Sequence, residues 1–245
     1  MKKLGLLGKN ISYSFSKKHF TEKFIASKIE SEYSYENFDI ENITQFKDIL
    51  QKNPNLIGLN VTIPYKETII PFLDDCSKEA REIGAVNTLK ITKNKTVVGY
   101  NTDYYGFLKS LQKTLKPNHK KAIILGTGGA AKAVAYALKQ IEIPTVYVSS
   151  SAKPNSISYQ DLNQTLFNKY QIIINCTPIG TFPSVENFPP IPYHLINNTH
   201  FAFDLIYNPT QTQFLQKAAK QGADIQNGYD MLVFQAEKSW EIWNE

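Results

Sequence analysis

Short apolar runs alternate with stretches whose apolar residues recur every three or four positions. "KLGLLG" (3–8) predicts a strand, and "KKHFTEKFIASKI" (17–29) has helical spacing. "YSYENFDI" (33–40) and "LIGLNVTI" (56–63) predict strands separated by the helix "NITQFKDILQK" (42–52). "TVVGYN" (96–101) predicts another strand, and "DYYGFLKSLQKTL" (103–115) a helix. The polar, proline-containing "KPNHKK" (116–121) interrupts the series. A second series then opens with the strand "KAIILG", the alanine-rich helix "GAAKAVAYALKQ" and the strand "PTVYVSS". "QIIINCT" and "FAFDLIY" predict two more strands, and "NGYDMLVFQAEKSWEIW" (227–243) an amphipathic helix. The alternation predicts an α/β protein built as two α/β units in series, with mostly parallel sheets covered by helices.

Composition keeps this picture and narrows the function. The 245 residues are 42% hydrophobic and 20% charged, ordinary for a globular protein and enough for two modest domains. No apolar run approaches the roughly 18–20 residues of a membrane span. The short, glycine-broken run after the first two lysines does not read as a signal peptide. A cytoplasmic protein is therefore expected. Cys76 and Cys176 lie far apart in sequence and are expected as free thiols. The four histidines make no metal-ligand pattern, so no metal is expected. The net charge of +5 comes from dispersed lysines, which argues against a nucleic-acid surface.

The most informative local motif is "KAIILGTGGAAKAVAYAL". A strand ends at Leu125, Gly126, Gly128 and Gly129 make a turn, and a helix follows. A dinucleotide pyrophosphate needs such glycines, because the backbone must come close and the helix N-terminus must offer its N–H groups. Ala131 stands where a third glycine is usual and still permits close helix–strand packing. An NAD site would place an acid on the ribose about 20 residues on. Here the strand runs into Ser149, Ser150 and Ser151, then Lys153. Hydroxyls and a lysine can receive a 2′-phosphate that an acid would repel, so NADP(H) is the expected cofactor. Read alone, the serines also make an ordinary polar turn.

A nucleotide domain from residue 121 to about 228 leaves the first hundred residues and the last helix to bind a substrate. Ser14 and Ser16 precede a helix and suit either a carboxylate or a cap. Asn87 and Asn101 suit turns, and Asp103 suits an N-cap. In "GLNVTIPYKE", Pro64 lacks an N–H and ends the strand. Lys66 then lies just beyond the strand's carboxyl end, where ligands collect in open α/β sheets.

Taken together, "GLNVTIPYKE", "GAVNTL", "GYNTDYYG", the glycine loop, "NCTPIGT", "DLIYNP" and "NGYDMLVFQA" resemble the shikimate dehydrogenase family. The resemblance runs from about residue 8 to 243. It implies NADPH-dependent, metal-free reduction of 3-dehydroshikimate to shikimate, a step towards chorismate and the aromatic amino acids. It implies a substrate-binding catalytic domain at 1–102 plus 229–245 and a Rossmann domain at 103–228. Lys66 would be catalytic, paired with Asp103. Ser14 and Ser16 would hold the substrate carboxylate, and Thr62, Asn87, Asp103, Tyr207 and Gln235 would hold its hydroxyls and line the site. Gly126, Gly128, Gly129 and Ala130 would cradle the pyrophosphate, Ser149, Ser150, Ser151 and Lys153 would face the 2′-phosphate, and Leu205 and Gly228 would border the nicotinamide. A monomer or homodimer with a small-molecule substrate is implied. The chain departs from the family pattern at Tyr13 and Lys17, at Thr181, and in the absence of arginine after the second Rossmann strand. An NAD-linked quinate/shikimate dehydrogenase and a non-catalytic ligand sensor stand as the alternatives.

Overall fold

The computed structural model describes residues 1–11, 15–112, 114–151 and 153–245. In chain order the first elements are β1 (Lys2–Gly8), α1 (Phe15–Ala26), β2 (Tyr33–Asp39), α2 (Phe46–Lys52), β3 (Leu56–Val61), β4 (Asp75–Cys76), α3 (Lys78–Ile83), β5 (Thr88–Ile91) and β6 (Val97–Tyr100). They are followed by α4 (Asp103–Leu111), β7 (Ala122–Leu125), α5 (Gly129–Gln140), β8 (Thr145–Ser149), β9 (Ser156–Ser158), α6 (Gln164–Lys169) and β10 (Ile172–Asn175). The chain closes with β11 (Phe201–Asp204), α7 (Gln213–Lys220), β12 (Asp224–Gln226) and α8 (Tyr229–Asn244). Two compact units result: 1–102 with 236–245, and 103–235.

The first unit holds a six-stranded sheet in the order β2-β1-β3-β5-β6-β4. β2, β1 and β3 run parallel, as do β6 and β4, while β5 is antiparallel to both neighbours. The two-residue side-chain period of a strand sends alternate residues to opposite faces. Leu7, Leu59, Val61 and Leu89 therefore pack with Phe46, Ile49, Tyr65 and Ile69 in one core. Leu4 and Leu6 pack with Phe20 and Phe24 of α1 and with Ala236 and Trp243 of α8 in another. The Trp243 indole N–H donates to the Leu89 carbonyl at 2.9 Å, which fixes the end of α8 on this sheet.

The second unit holds a six-stranded sheet in the order β9-β8-β7-β10-β11-β12, parallel throughout. "AIIL", "IIIN" and "FAFD" are buried at every position, as strands covered on both faces must be. Ile124, Ile174 and Phe203 face α4 and α5, while Ile123, Ile173 and Ala202 face α6 and α7. The chain leaves β7 in one direction for β8 and β9, then returns to lay down β10, β11 and β12 on the other side. This is the doubly wound dinucleotide-binding order, with its switch point between β7 and β10. α8 begins in this unit, where Met231 joins the core beside Phe107 and Leu111.

Candidate active site

In the first unit, Thr62 follows β3 and its N–H donates to the Leu7 carbonyl at 2.9 Å, extending the pairing with β1 by one step. The chain then turns. Tyr65 is buried, and its hydroxyl donates to the Ile40 carbonyl at 2.7 Å. Ile69 is buried as well, and the Lys66 carbonyl accepts the Val86 N–H at 2.7 Å. The backbone is thus anchored on both sides of Lys66, whose own side chain is half-buried at the carboxyl end of β3.

Asn87, just before β5, is buried. Its side-chain Oδ1 accepts the Thr102 N–H at 2.6 Å, and its side-chain amide donates to the Thr102 hydroxyl at 2.9 Å. Ser16, the second residue of α1, is buried and hydrogen-bonds the Tyr35 hydroxyl. Burial drives the Tyr35 phenol strongly upward, and the bond from Ser16 opposes this. Ser14 lies outside the described residues.

A polar network that the sequence reading did not single out joins these groups. Tyr35 donates to Asn60 at 2.8 Å, and the Asn60 amide donates to Ser239 at 2.9 Å. The Ser239 hydroxyl bonds Thr88 at 2.8 Å and Thr102 at 3.2 Å. A sequence signal existed: Asn60 interrupts the apolar run "LIGLNV". A buried amide in such a run needs partners, because an unpaired one costs about 1–3 kcal/mol.

In the second unit, Gly126 follows β7 with φ of +104°, a conformation that disfavours any side chain. Gly128 is the N-cap of α5, and no side chain caps that helix end. A Cβ at Gly128 would meet nothing within 4 Å, so the space in front of the helix is open to a ligand. The first-turn N–H groups of Gly129 and Ala130 accompany the positive end of the helix dipole. This cradle fits a dinucleotide pyrophosphate. At the end of β8, Ser149 is buried and its hydroxyl accepts the Ser151 N–H at 3.3 Å, while Ser150, Ser151 and Lys153 are exposed.

On the other side of the switch point, Leu205 follows β11, and Gly228 is buried against it. A Cβ on Gly228 would collide with the Leu205 carbonyl, so glycine alone permits this approach. Tyr207 lines a cavity of about 300 Å³ with Thr210, Gln226, Asn227, Tyr229 and Asp230, and burial raises its phenol. Asp103 opens α4 and is buried. Gln235, in α8, is buried and donates to the Leu232 carbonyl at 2.9 Å. Cys76 and Cys176 are free thiols, and burial holds the Cys176 thiol well above its ordinary range.

The model of the shikimate dehydrogenase substrate binding domain matches residues 6–89. A shikimate dehydrogenase (NADP(+)) of Caldicellulosiruptor saccharolyticus is 36% identical over 99% of this chain and 92% of its own length. The chain belongs to the shikimate dehydrogenase family. Among solved members, a shikimate dehydrogenase from Peptoclostridium difficile is 37% identical with a TM-score of 0.86, covering 100% of this chain and 92% of that one. A shikimate 5-dehydrogenase from Thermus thermophilus, in complex with NADP(H) and shikimate, is 27% identical with a TM-score of 0.87, covering 99% and 93%. Among the described residues, no helix is long and apolar enough to cross a membrane.

Proposed function

We propose that the protein is an NADP-dependent shikimate dehydrogenase, reversibly reducing 3-dehydroshikimate to shikimate on the route to chorismate, in the cytoplasm, as a monomer or homodimer. The carrying observation is that one chain of this family holds both a backbone-anchored Lys66 beyond β3 and an uncapped cofactor helix. NADPH, when bound, supplies a hydride to the ring ketone. As the ketone is reduced, charge grows on its oxygen, and a positioned cation and acid must meet that charge.

Lys66 has both roles. Its ammonium attracts the developing charge and transfers a proton to the oxygen, and in the reverse direction its amine takes the proton back. Asp103 is assigned the orientation of Lys66 and a bond to a substrate hydroxyl. Ser14 and Ser16 are assigned to the carboxylate, and Thr62, Asn87, Tyr207 and Gln235 to the ring hydroxyls and the walls of the site. Gly126, Gly128, Gly129 and Ala130 would hold the pyrophosphate, and Ser149, Ser150, Ser151 and Lys153 the 2′-phosphate. Leu205 and Gly228 would border the nicotinamide.

The test mixes purified protein with shikimate and NADP and follows nicotinamide absorbance. Reduction of NADP supports the assignment, and no reduction with either NADP or NAD overturns it.

A further inference from the structure

Asp204 closes β11 with no exposed surface, yet it carries a carboxylate into an otherwise apolar strand. Its Oδ1 accepts the Ile206 N–H at 3.1 Å and the Asn175 amide at 3.0 Å. Its Oδ2 accepts the Thr212 hydroxyl at 2.5 Å. Each partner belongs to a different part of the carboxyl edge of the sheet. Asn175 ends β10, and its own Oδ1 accepts the N–H of Thr177 at 3.1 Å and its hydroxyl at 2.6 Å. Thr212 caps α7, accepting the Leu215 N–H at 3.4 Å. Ile206 lies in the loop that leaves β11. One side chain therefore ties together the loop after β10, the loop after β11 and the start of α7.

A buried charge is an expensive way to join loops, and apolar replacements of buried ionic groups are often as stable or more so. Stability is thus a poor reason for an aspartate here, and geometry is a better one. The loop it holds contains Leu205 and Tyr207. From the other side, the Gly228 N–H donates to the Ile206 carbonyl at 3.2 Å while its Cα lies against the Leu205 carbonyl. Residues 205–207 are therefore clasped between Asp204 and Gly228.

We infer that Asp204 is a positioning residue that holds the loop of residues 205–207 in register with Asn175 and Thr212, so that the nicotinamide end of the cofactor site keeps its shape. The inference rests on the dehydrogenase reading above. The adenosine end, built on α5 and the end of β8, does not depend on this clasp. Asp204 should therefore affect turnover without affecting recognition of the adenosine half.

Wild-type turnover with shikimate and NADP is measured first, and its absence would count against the reaction rather than against Asp204. Asp204→Ala is then compared with wild type in steady-state kinetics and in calorimetric binding of 2′,5′-ADP, which probes the adenosine half alone. The expected result is a folded protein whose kcat falls about 10- to 100-fold, the scale of a misplaced reacting group, with unchanged 2′,5′-ADP affinity. Asp204→Asn keeps an acceptor for Ile206 and Asn175 and should restore most of the turnover. A folded Asp204→Ala protein with wild-type kcat overturns the inference. So does a loss of 2′,5′-ADP affinity that parallels the loss of turnover, since that reports general loosening of the domain. Should Asp204→Ala not fold, Thr212→Val is read the same way: lower kcat with intact 2′,5′-ADP binding supports the clasp, and unchanged kcat refutes it.

Discussion

Replacing Asp204 with asparagine should make the protein's stability depend on pH in a new way. Burial pushes this carboxyl from its ordinary value of 3.8 up to about 6, opposed in part by the bonds from Thr212, Ile206 and Asn175. A carboxyl whose pKa is raised on folding contributes stability that is full below its unfolded value. That contribution is lost as pH rises through the folded value. Each pKa unit is worth about 1.4 kcal/mol, so the rise from 3.8 to about 6 corresponds to about 3 kcal/mol lost by pH 7. Asparagine has nothing to ionise. The stability of Asp204→Asn relative to wild type should therefore improve by about 2.4 kcal/mol between pH 4 and pH 7, because at pH 4 the unfolded carboxyl is already partly ionised. His119 and His200, whose imidazoles burial holds below the ordinary range, push the opposite way, losing stability as pH falls below about 6.5. Both proteins contain them, so they cancel in the difference. Urea unfolding at several pH values gives the comparison. Circular dichroism is the suitable signal, because Trp240 and Trp243 both belong to the first unit. A stability difference that stays constant across the range, or moves against Asp204→Asn as pH rises, would refute the reasoning.

Lys66→Ala should lower kcat about 10²–10⁴-fold, the usual contribution of a positioned acid–base group, in a protein that circular dichroism shows to be folded; near-wild-type turnover would remove its catalytic role. Asp103→Asn should also be slow, and if the two residues act as a unit the double mutant should be little slower than the slower single mutant. Lys153→Ala should raise the KM for NADP more than that for NAD, and an equal rise would take Lys153 away from the 2′-phosphate. Gly58→Ala should lower the melting temperature, because the added Cβ would run into the Trp243 indole. Overpacking of this kind costs about 1–3 kcal/mol, and an unchanged melting temperature would mean that α8 moves aside at no cost.

Much of the architecture was legible in the chain. Apolar runs such as "AIIL" and "IIIN" read as strands, and the glycine turn before an alanine-rich helix marked the candidate cofactor cradle. Short elements escaped. β4 has two residues, and β9 and β12 have three each, too few for any periodicity to register. The four-residue β5 went unread as a strand, and with it its antiparallel setting, since pairing direction depends on the path of the connecting chain rather than on composition.

The candidate site divides in the same way. The glycines stood out through a strong local signal, a turn between strand and helix, whereas Lys66 and Asp103 read locally as a charge after a strand and a helix cap, and only the family resemblance gave them roles. Asn60, Ser239 and Asp204 were visible only as polar residues in apolar surroundings. What each one does is set by partners far away in sequence. Ser239 meets Thr88 across 151 positions, and Asp204 meets Asn175 across 29. Local sequence dictates backbone propensity and side-chain period, since both are properties of adjacent residues. Which buried donor finds which acceptor is decided when the strands are laid side by side. There the cost of an unpaired polar group favours arrangements in which nearly every such group is answered.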